Sequence, residues 1–240
     1  MSKLRAVDLA IGYRIERPLL ENVEFTLDSG LYALIGANGS GKTTLLKTLA
    51  GILKPLKGSV NVDGVNIHRA PRREAARLVG YAWQNPFYGF VEASVEREIH
   101  LIAKLTGVRL KEEILYRLVE LELMGRSPFT LSGGEARRVA LASVLAADQP
   151  VWLLDEPFAD LDYSGYRILA SLVEYGVKAG KIIVVSTHIV SLLDPLKPRG
   201  FLLIDRNRRR LLTGAWNELS DDILVEANVI PRGILCAATP

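Results

Sequence analysis

Cysteine and long apolar runs are both scarce in this sequence. Cys236 is the only cysteine among 240 residues, so no disulfide can form within the chain, and this composition is typical of a reducing compartment. The strongest apolar stretches, VWLL and KIIVVS, fall far short of the roughly 20 residues that span a bilayer. Residues 1–18 also lack the apolar segment of a secretory signal. We therefore expect a soluble chain that reaches a membrane only through a partner.

The sequence also lacks a large excess of one charge. It has 30 basic and 27 acidic side chains, for a net charge of +3, and the basic residues are spread along the chain. This balance gives no reason to expect a nucleic-acid partner. Hydrophobic residues make up 49% of the sequence, which is ample for a buried core. We predict one domain over residues 1–240, without internal repeats or long linkers.

Two kinds of hydrophobic pattern divide the chain. Near the N-terminus, residues 4–10 and then Val23, Phe25 and Leu27 alternate like half-buried strands, and GSVNVDGVNI indicates a hairpin around Asp63 and Gly64. Further on, short apolar runs such as LYALIG alternate with helical spacings, which is typical of a parallel sheet covered by helices. Residues from about 93 to 147 are mostly helical in pattern, with Leu121 continuing the apolar face of Ile114 and Leu118. We expect residues 85–147 to form an inserted helical subdomain. Residues 215–240 form a short tail.

The stretch GANGSGKT, from Gly36 to Thr43, fits the spacing G-x-x-x-x-G-K-[ST]. It follows a predicted strand and opens a predicted helix, which is the context that a phosphate-binding P-loop requires. Backbone N–H groups of such a loop bind phosphates, Lys42 reaches the β- and γ-phosphate oxygens, and the Thr43 hydroxyl binds Mg²⁺. The motif therefore predicts a nucleoside triphosphate site.

The stretch VWLLDEP ends a predicted strand with two carboxylates. Ligands of open α/β sheets bind at the carboxyl ends of the strands. Asp155 is accordingly placed to hold Mg²⁺, partly through water, and Glu156 to orient and deprotonate an attacking water. An acidic pair at a strand end is otherwise an ordinary solvated turn.

The stretch LSGGE indicates a second anion site. Ser132 and Glu135 have the spacing of a capping box. Between them, Gly133 and Gly134 each cost about 1 kcal/mol of helix propensity relative to alanine. Capping does not need these glycines, whereas an anion that approaches the backbone at a helix N-terminus does.

A P-loop, LSGGE and LLDEP in this order resemble the ATP-binding cassette (ABC) ATPase family over residues 3–214. The resemblance implies an α/β fold: a P-loop core with a mainly parallel sheet covered by helices, an N-terminal antiparallel β-subdomain and an inserted helical subdomain. It implies a reaction, ATP and water to ADP and phosphate, with ATP and Mg²⁺ bound. In this family two cassettes face each other head-to-tail, so the signature of one contacts the ATP held by the other.

The same resemblance assigns roles to individual residues. Tyr13 matches the aromatic that stacks on adenine, although strand aromatics are common. Gln84 matches a glutamine that contacts Mg²⁺ and water, His188 matches a histidine that contacts the γ-phosphate, and both join Glu156 as catalytic residues. Asp160 and Asp162 belong to FADLD, which matches a loop that communicates across the dimer. The ATP-binding set is Tyr13, Gly36, Asn38, Gly39, Ser40, Gly41, Lys42, Thr43 and Thr44; the metal set is Thr43, Gln84 and Asp155; and the signature set that contacts ATP in trans is Ser132, Gly133, Gly134 and Glu135.

The stretch QNPFYGFVEASVEREI, residues 84–99, resembles the energy-coupling-factor group of ABC importers. That resemblance implies an importer of a small micronutrient (a vitamin or a metal ion), integral membrane partners, a second cassette subunit that is identical or similar, and a peripheral place on the cytoplasmic side of the membrane. FYGF suits either docking of a membrane subunit or packing inside the helical subdomain. A non-transport cassette ATPase, for example of the cluster-assembly type, is the alternative function.

Overall fold

The computed structural model describes residues 2–159 and 161–232. The strands are β1 (Lys3–Ile11), β2 (Leu20–Asp28), β3 (Gly30–Ile35), β4 (Lys57–Val62), β5 (Val65–Asn66), β6 (Val79–Ala82), β7 (Val151–Leu154), β8 (Ile182–Thr187), β9 (Gly200–Asp205) and β10 (Arg210–Ala215). The helices are α1 (Lys42–Leu49), α2 (Arg72–Leu78), α3 (Val95–Thr106), α4 (Glu112–Leu118), α5 (Gly133–Leu145), α6 (Tyr163–Lys178) and α7 (Asp221–Glu226).

A six-stranded sheet forms the centre of the molecule, with strand order β10-β9-β3-β8-β7-β6. Its strands are parallel except at the β9–β10 hairpin. The carboxyl ends of β3, β6, β7 and β8 therefore meet at one edge. The P-loop, Gln84, the acidic pair and His188 follow these four strands, so the topology gathers at that edge the residues that the sequence singled out.

The central strand β3 shows how this sheet separates two hydrophobic cores. All six of its residues are buried. Leu31, Ala33 and Ile35 belong to the core shared with α3–α6, whereas Tyr32 and Leu34 belong to the core shared with the N-terminal strands. Successive side chains of a strand point to opposite faces, and a strand covered on both faces reads as one continuous apolar run.

The N-terminal strands form a separate antiparallel sheet with order β2-β1-β4-β5. Its β4–β5 hairpin turns at Asp63 and Gly64, which have φ values of 50° and 84°. Left-handed backbone at both central residues is what a tight two-residue hairpin demands. The predicted combination of a mainly parallel sheet, an N-terminal antiparallel sheet and helices is confirmed.

The helical segment differs from the periodicity in one place. We predicted that Leu121 continues the apolar face of Ile114 and Leu118, but α4 ends at Leu118 and the backbone is extended at Val119. Leu121 is 66% exposed. The spacing of apolar residues continues past Leu118, although the helical hydrogen bonds of the main chain end there. The sequence pattern therefore does not reveal where α4 ends.

The FYGF stretch divides between the interior and the surface. Phe90 is 6% exposed and belongs to the core shared with α3–α6, and Phe87 packs partly against that core. Tyr88, between them, is 75% exposed. Within the described residues, no helix is long and apolar enough to cross a membrane.

Candidate functional site

The P-loop lies between β3 and α1, and its glycines are required by its shape. A Cβ at Gly36 would lie 2.5 Å from the Ser40 hydroxyl oxygen. Gly41 precedes α1 with a φ of 109°, a backbone conformation that side chains other than glycine rarely adopt. The loop thus presents backbone N–H groups at the N-terminus of α1, where anions bind favourably.

Lys42 lies beneath this loop and is 7% exposed. Its ammonium donates to the Gly36 carbonyl oxygen at 2.8 Å and lies 3.4 Å from Glu156 Oε1. It also donates to the Ala37 carbonyl oxygen at 3.4 Å. A buried cation held by two carbonyls and one carboxylate is well placed to transfer to a phosphate, because a charge-assisted bond to a more highly charged anion is stronger.

Asp155 is the centre of a buried polar network and is only 1% exposed. Thr43 Oγ1 donates to Asp155 Oδ2 at 2.7 Å, and Tyr81 OH donates to the same oxygen at 3.1 Å. Ser186 Oγ donates to Asp155 Oδ1 at 2.6 Å. Burial, together with the nearby Asp155 charge, raises the pKa of Tyr81, so Tyr81 stays a neutral hydrogen-bond donor at physiological pH.

Glu156 adopts a left-handed backbone conformation with φ of 48°, which is uncommon for a residue other than glycine. Its N–H donates to Ser186 Oγ at 2.8 Å, and its carbonyl oxygen accepts from Arg137 Nη1 at 3.2 Å. Its carboxylate contacts both Lys42 and His188, whose Nδ1 is 3.0 Å from Oε2. The second carboxylate is therefore held through both its main chain and its side chain.

The P-loop, Lys42, Glu156 and His188 line one cleft of about 540 Å³. Tyr13 reaches it from the loop after β1 and is 70% exposed, and Gln84 reaches it from the loop after β6. Clefts of a few hundred cubic ångströms are typical of small-molecule sites. The residues that line it are Tyr13, Leu19, Asn38, Gly39, Ser40, Gly41, Lys42, Thr43, Thr44, Gln84, Glu156 and His188.

The LSGGE residues do not line this cleft. Ser132 Oγ accepts from Glu135 N at 3.3 Å, and Glu135 Oε2 accepts from Ser132 N at 2.8 Å, so the predicted capping box is present. The bond from the Ser132 N–H lowers the pKa of Glu135. Around Gly133 and Gly134, no atom of the described residues outside the local helix backbone and chain neighbours lies within 4 Å of an added Cβ. Both glycines therefore border open space.

The two aspartates of FADLD cannot be treated alike. Asp162 caps α6, because its Oδ1 accepts from Gly165 N at 2.7 Å. Asp160 lies outside the described residues. The predicted role of this loop across a dimer stays a prediction for both.

Sequence reasoning missed three residues that hold the acidic pair. Ser186 bridges Asp155 and the Glu156 N–H, and it stands two positions before His188, so the end of the KIIVVSTH strand carried a usable signal. Tyr81 has the same kind of signal, three residues before Gln84. Arg137 had none, because an arginine within a helix reads as a solvated side chain.

Comparison with known proteins supports these observations. The family model described as ABC transporter matches residues 20–159, more than half of the chain. The energy-coupling factor transporter ATP-binding protein EcfA of Methanoculleus marisnigri is 39% identical over 205 residues, which cover 80% of this chain and 73% of that protein. EcfA2 of Staphylococcus epidermidis is 36% identical over 190 residues, which cover 74% and 66%.

Solved structures agree in fold. The structure of an ATP-binding subunit of an ABC transporter has a TM-score of 0.78 at 23% identity, with 98% of each chain covered. CbiO1 of Clostridium perfringens, part of the ABC transporter complex CbiONQ, has a TM-score of 0.71 at 27% identity, covering 90% of this chain and 89% of that one. Together with the family match, these likenesses establish that the chain belongs to the ABC transporter family of ATP-binding cassette ATPases.

Proposed function

We propose that this ATPase powers an energy-coupling-factor-type importer of a small micronutrient from the cytoplasmic face of the cell membrane. The observation that carries the ATPase part is the convergence of Lys42, Glu156 and His188 on one cleft beside the P-loop. The importer part is supported by the two energy-coupling-factor relatives and by CbiO1, which belongs to a transporter complex.

In the proposed binding mode, the P-loop N–H groups and Lys42 hold the β- and γ-phosphates. Tyr13, exposed at the opposite side of the cleft, stacks on the adenine ring. Stacking on an aromatic contributes about 1–3 kcal/mol per base. Because stacking reads the face of a base and not its edges, this arrangement favours ATP only modestly over other nucleotides.

A Mg²⁺ ion fits the oxygen atoms already gathered beside the phosphates. The Thr43 hydroxyl and the Asp155 carboxylate are in contact at 2.7 Å, and Gln84 lines the same cleft. Hydroxyl, carboxylate and amide oxygens are the hard ligands that Mg²⁺ prefers. When bound, the ion neutralises charge that develops on the transferred phosphoryl group.

Glu156 is the group that would accept the proton of the attacking water. Its carboxylate contacts Lys42 and His188 in this structure. When a bound triphosphate forms an ion pair with Lys42, Glu156 Oε1 loses that partner and becomes able to accept a proton from the attacking water. His188 then holds the other oxygen and lies close to the γ-phosphate position. General bases of this kind contribute about 10²–10⁴-fold to a rate.

The open Gly133–Gly134 turn supports a head-to-tail dimer in which each signature contacts the ATP of a second cassette. N–H groups at the start of a 13-residue helix are suited to bind a phosphate from outside the chain. The second cassette is either an identical chain or a similar one.

The membrane subunit is proposed to dock beside the 84–92 loop. Tyr88 and Val91 are 75% and 70% exposed, and Phe129 is 56% exposed on the neighbouring turn. Phe90 contacts Phe129 edge-to-face, with ring centroids 6.2 Å apart, so the exposed patch continues into the core. Exposed aromatic residues that rest on a packed core are suited to receive an apolar segment of a partner.

The experiment isolates the tagged protein from native membranes and identifies co-purifying polytopic proteins. Tyr88→Glu should abolish their recovery while leaving the ATPase activity of the isolated cassette unchanged. Val225→Glu, which alters an apolar residue on α7 that is 60% exposed, is the matched control and should retain them. Recovery of soluble cluster-assembly proteins in place of membrane subunits would favour the alternative function.

A further inference from the structure

Arg137 connects the signature helix to the proposed base. It lies on α5, is 7% exposed, and its Nη1 donates to the Glu156 carbonyl oxygen at 3.2 Å. A guanidinium buried this deeply is costly unless its charge serves a specific contact. One such contact is to the main chain of Glu156, so it bears on where that residue's carboxylate points.

The main chain of Glu156 needs such support. Its φ of 48° is an uncommon conformation that persists only where neighbouring groups hold it. Ser186 Oγ accepts from the Glu156 N–H, and the Glu156 carbonyl oxygen accepts from both Arg137 Nη1 and the Ala159 N–H, each at 3.2 Å. Loss of Arg137 removes the only charged donor among these contacts, so the left-handed backbone of Glu156 is held less firmly and its carboxylate is less well positioned.

Because Arg137 lies on α5, its contact also links Glu156 to the signature helix. The helix is capped by Ser132, and a rise of about 1.5 Å per residue places Arg137 roughly 7.5 Å further along the same rigid helix. Its N-terminus is the proposed contact for the ATP of the second cassette. One helix therefore joins the ATP held by the partner to the base that acts on the chain's own ATP.

We propose that Arg137 is a positioning residue that aligns Glu156 for hydrolysis and transmits to it the position of the signature helix. The first part rests only on the contacts around Glu156. The second part rests on the proposed function, because it requires that the signature contacts ATP in trans.

The test compares Arg137→Met with Arg138→Met. Methionine keeps much of the side-chain volume but donates no hydrogen bond. The control removes the same charge from the next residue, whose guanidinium approaches Glu120 only at 4.0 Å. Because a misplacement of about 1 Å can cost 10²-fold, we expect kcat to fall about 10–100-fold in Arg137→Met. We expect ATP affinity to change less than about twofold in both variants, and kcat to change less than about twofold in the control.

Two further measurements separate positioning from general structural support. In a Glu156→Gln background, Arg137→Met should change the residual rate less than about twofold, because residues that act through one group are not additive. Arg137→Lys, which keeps a donor, should recover part of the lost kcat. It also serves as the primary variant if Arg137→Met does not fold, as judged by thermal unfolding.

An unchanged kcat in Arg137→Met, or an equal loss in Arg138→Met, would overturn the proposal. So would a full additional loss in the Glu156→Gln background. Failure of the proposed trans contact is distinguishable, because wild-type protein would then not dimerise with ATP, whereas the positioning part is judged from the ATPase rates of the variants alone. The transmission part is tested in mixed dimers whose second chain carries Glu156→Gln, so that only the first chain hydrolyses ATP. It is overturned if Arg137→Met lowers kcat equally whether Ser132 of the same chain is intact or changed to Arg, and supported if the loss needs that Ser132 intact.

Discussion

The P-loop and the LSGGE turn are both glycine-rich helix starts, yet they use glycine for opposite reasons. In the P-loop, the chain itself needs the glycines, because a side chain at Gly36 would collide with Ser40 and Gly41 has a strongly positive φ. At Gly133 and Gly134, nothing among the described residues approaches an added Cβ closely. The capping box pairs the N–H groups of Ser132 and Glu135 and needs neither glycine.

The difference shows what each turn is built to meet. The glycines of the P-loop are required by contacts within the chain, and the cation of the loop, Lys42, is buried against it. At the signature turn, the absence of side chains at Gly133 and Gly134 leaves space that the described residues do not fill. A ligand held by the same chain suits the first turn, and a ligand held by another chain suits the second. The predictions that follow test this division.

The largest effect is expected for Glu156→Gln. The substitution keeps the size and hydrogen bonding of the side chain but removes the base, so hydrolysis should fall about 10²–10⁴-fold. It also removes a negative charge beside the γ-phosphate and the ion-pair partner of Lys42, so ATP should bind more tightly. A sizing column with ATP and Mg²⁺ should show a lasting dimer, while the wild type returns to monomer as ATP is consumed.

Adding Ser132→Arg to that variant tests whether the signature turn binds the ATP held by another chain. A bulky cation at the open turn blocks the place where the partner's γ-phosphate must dock, so the dimer should be lost while ATP binding to the P-loop remains. A double variant that still dimerises on ATP would show that the signature does not act in trans.

Lys42→Ala tests whether the P-loop binds the ATP held by its own chain. It removes the buried cation from the P-loop, and loss of a charge-assisted bond costs about 1.5–3 kcal/mol. Isothermal titration should therefore show ATP affinity falling at least about tenfold. Lys47→Ala, on the same helix and 4.8 Å from the Trp83 ring, is the control and should keep wild-type affinity. Unchanged affinity in Lys42→Ala contradicts the P-loop assignment.

Gly36→Ala tests whether contacts within the chain require a glycine at this position of the P-loop. The added Cβ would lie 2.5 Å from Ser40 Oγ, and overpacking of this kind costs about 1–3 kcal/mol. Urea unfolding should report that loss in the free energy of unfolding. Gly125→Ala is the matched control, since nothing described lies within 4 Å of its added Cβ, and it should change stability by less than about 0.5 kcal/mol. Equal stability of the two variants would contradict the argument.

The sequence predicted the sheet edge well because its motifs are short and local. A strand followed by GANGSGKT places the phosphate-binding N–H groups at its carboxyl end, and a strand followed by DEP places two carboxylates there. The parallel topology brings these strand ends together. It also predicted the capping box from two residues, Ser132 and Glu135. These features depend on neighbours within a few positions, which is the range that spacing describes.

Contacts between distant segments were beyond that range. The Ser186 bridge joins β8 to the end of β7, and Arg137 reaches Glu156 from a helix 19 positions earlier. The division of FYGF into buried Phe90 and exposed Tyr88 depends on how α3 and α5 pack, and spacing carries no such information. The end of α4 at Leu118 likewise depends on tertiary packing, which overrides periodicity.

Gly134→Ala is the smallest of these changes and the sharpest test of the comparison. Alanine replaces glycine in the first turn of α5 without a collision, and removing the excess freedom of glycine in a helix stabilises by about 0.5–1 kcal/mol. The monomer should therefore be slightly more stable to urea than the wild type. In the Glu156→Gln background, the same methyl group should weaken the ATP-driven dimer, because it occupies space that the partner's phosphate needs. A loss of monomer stability would show that the fold itself requires this glycine, and an unweakened dimer would show that no partner approaches it.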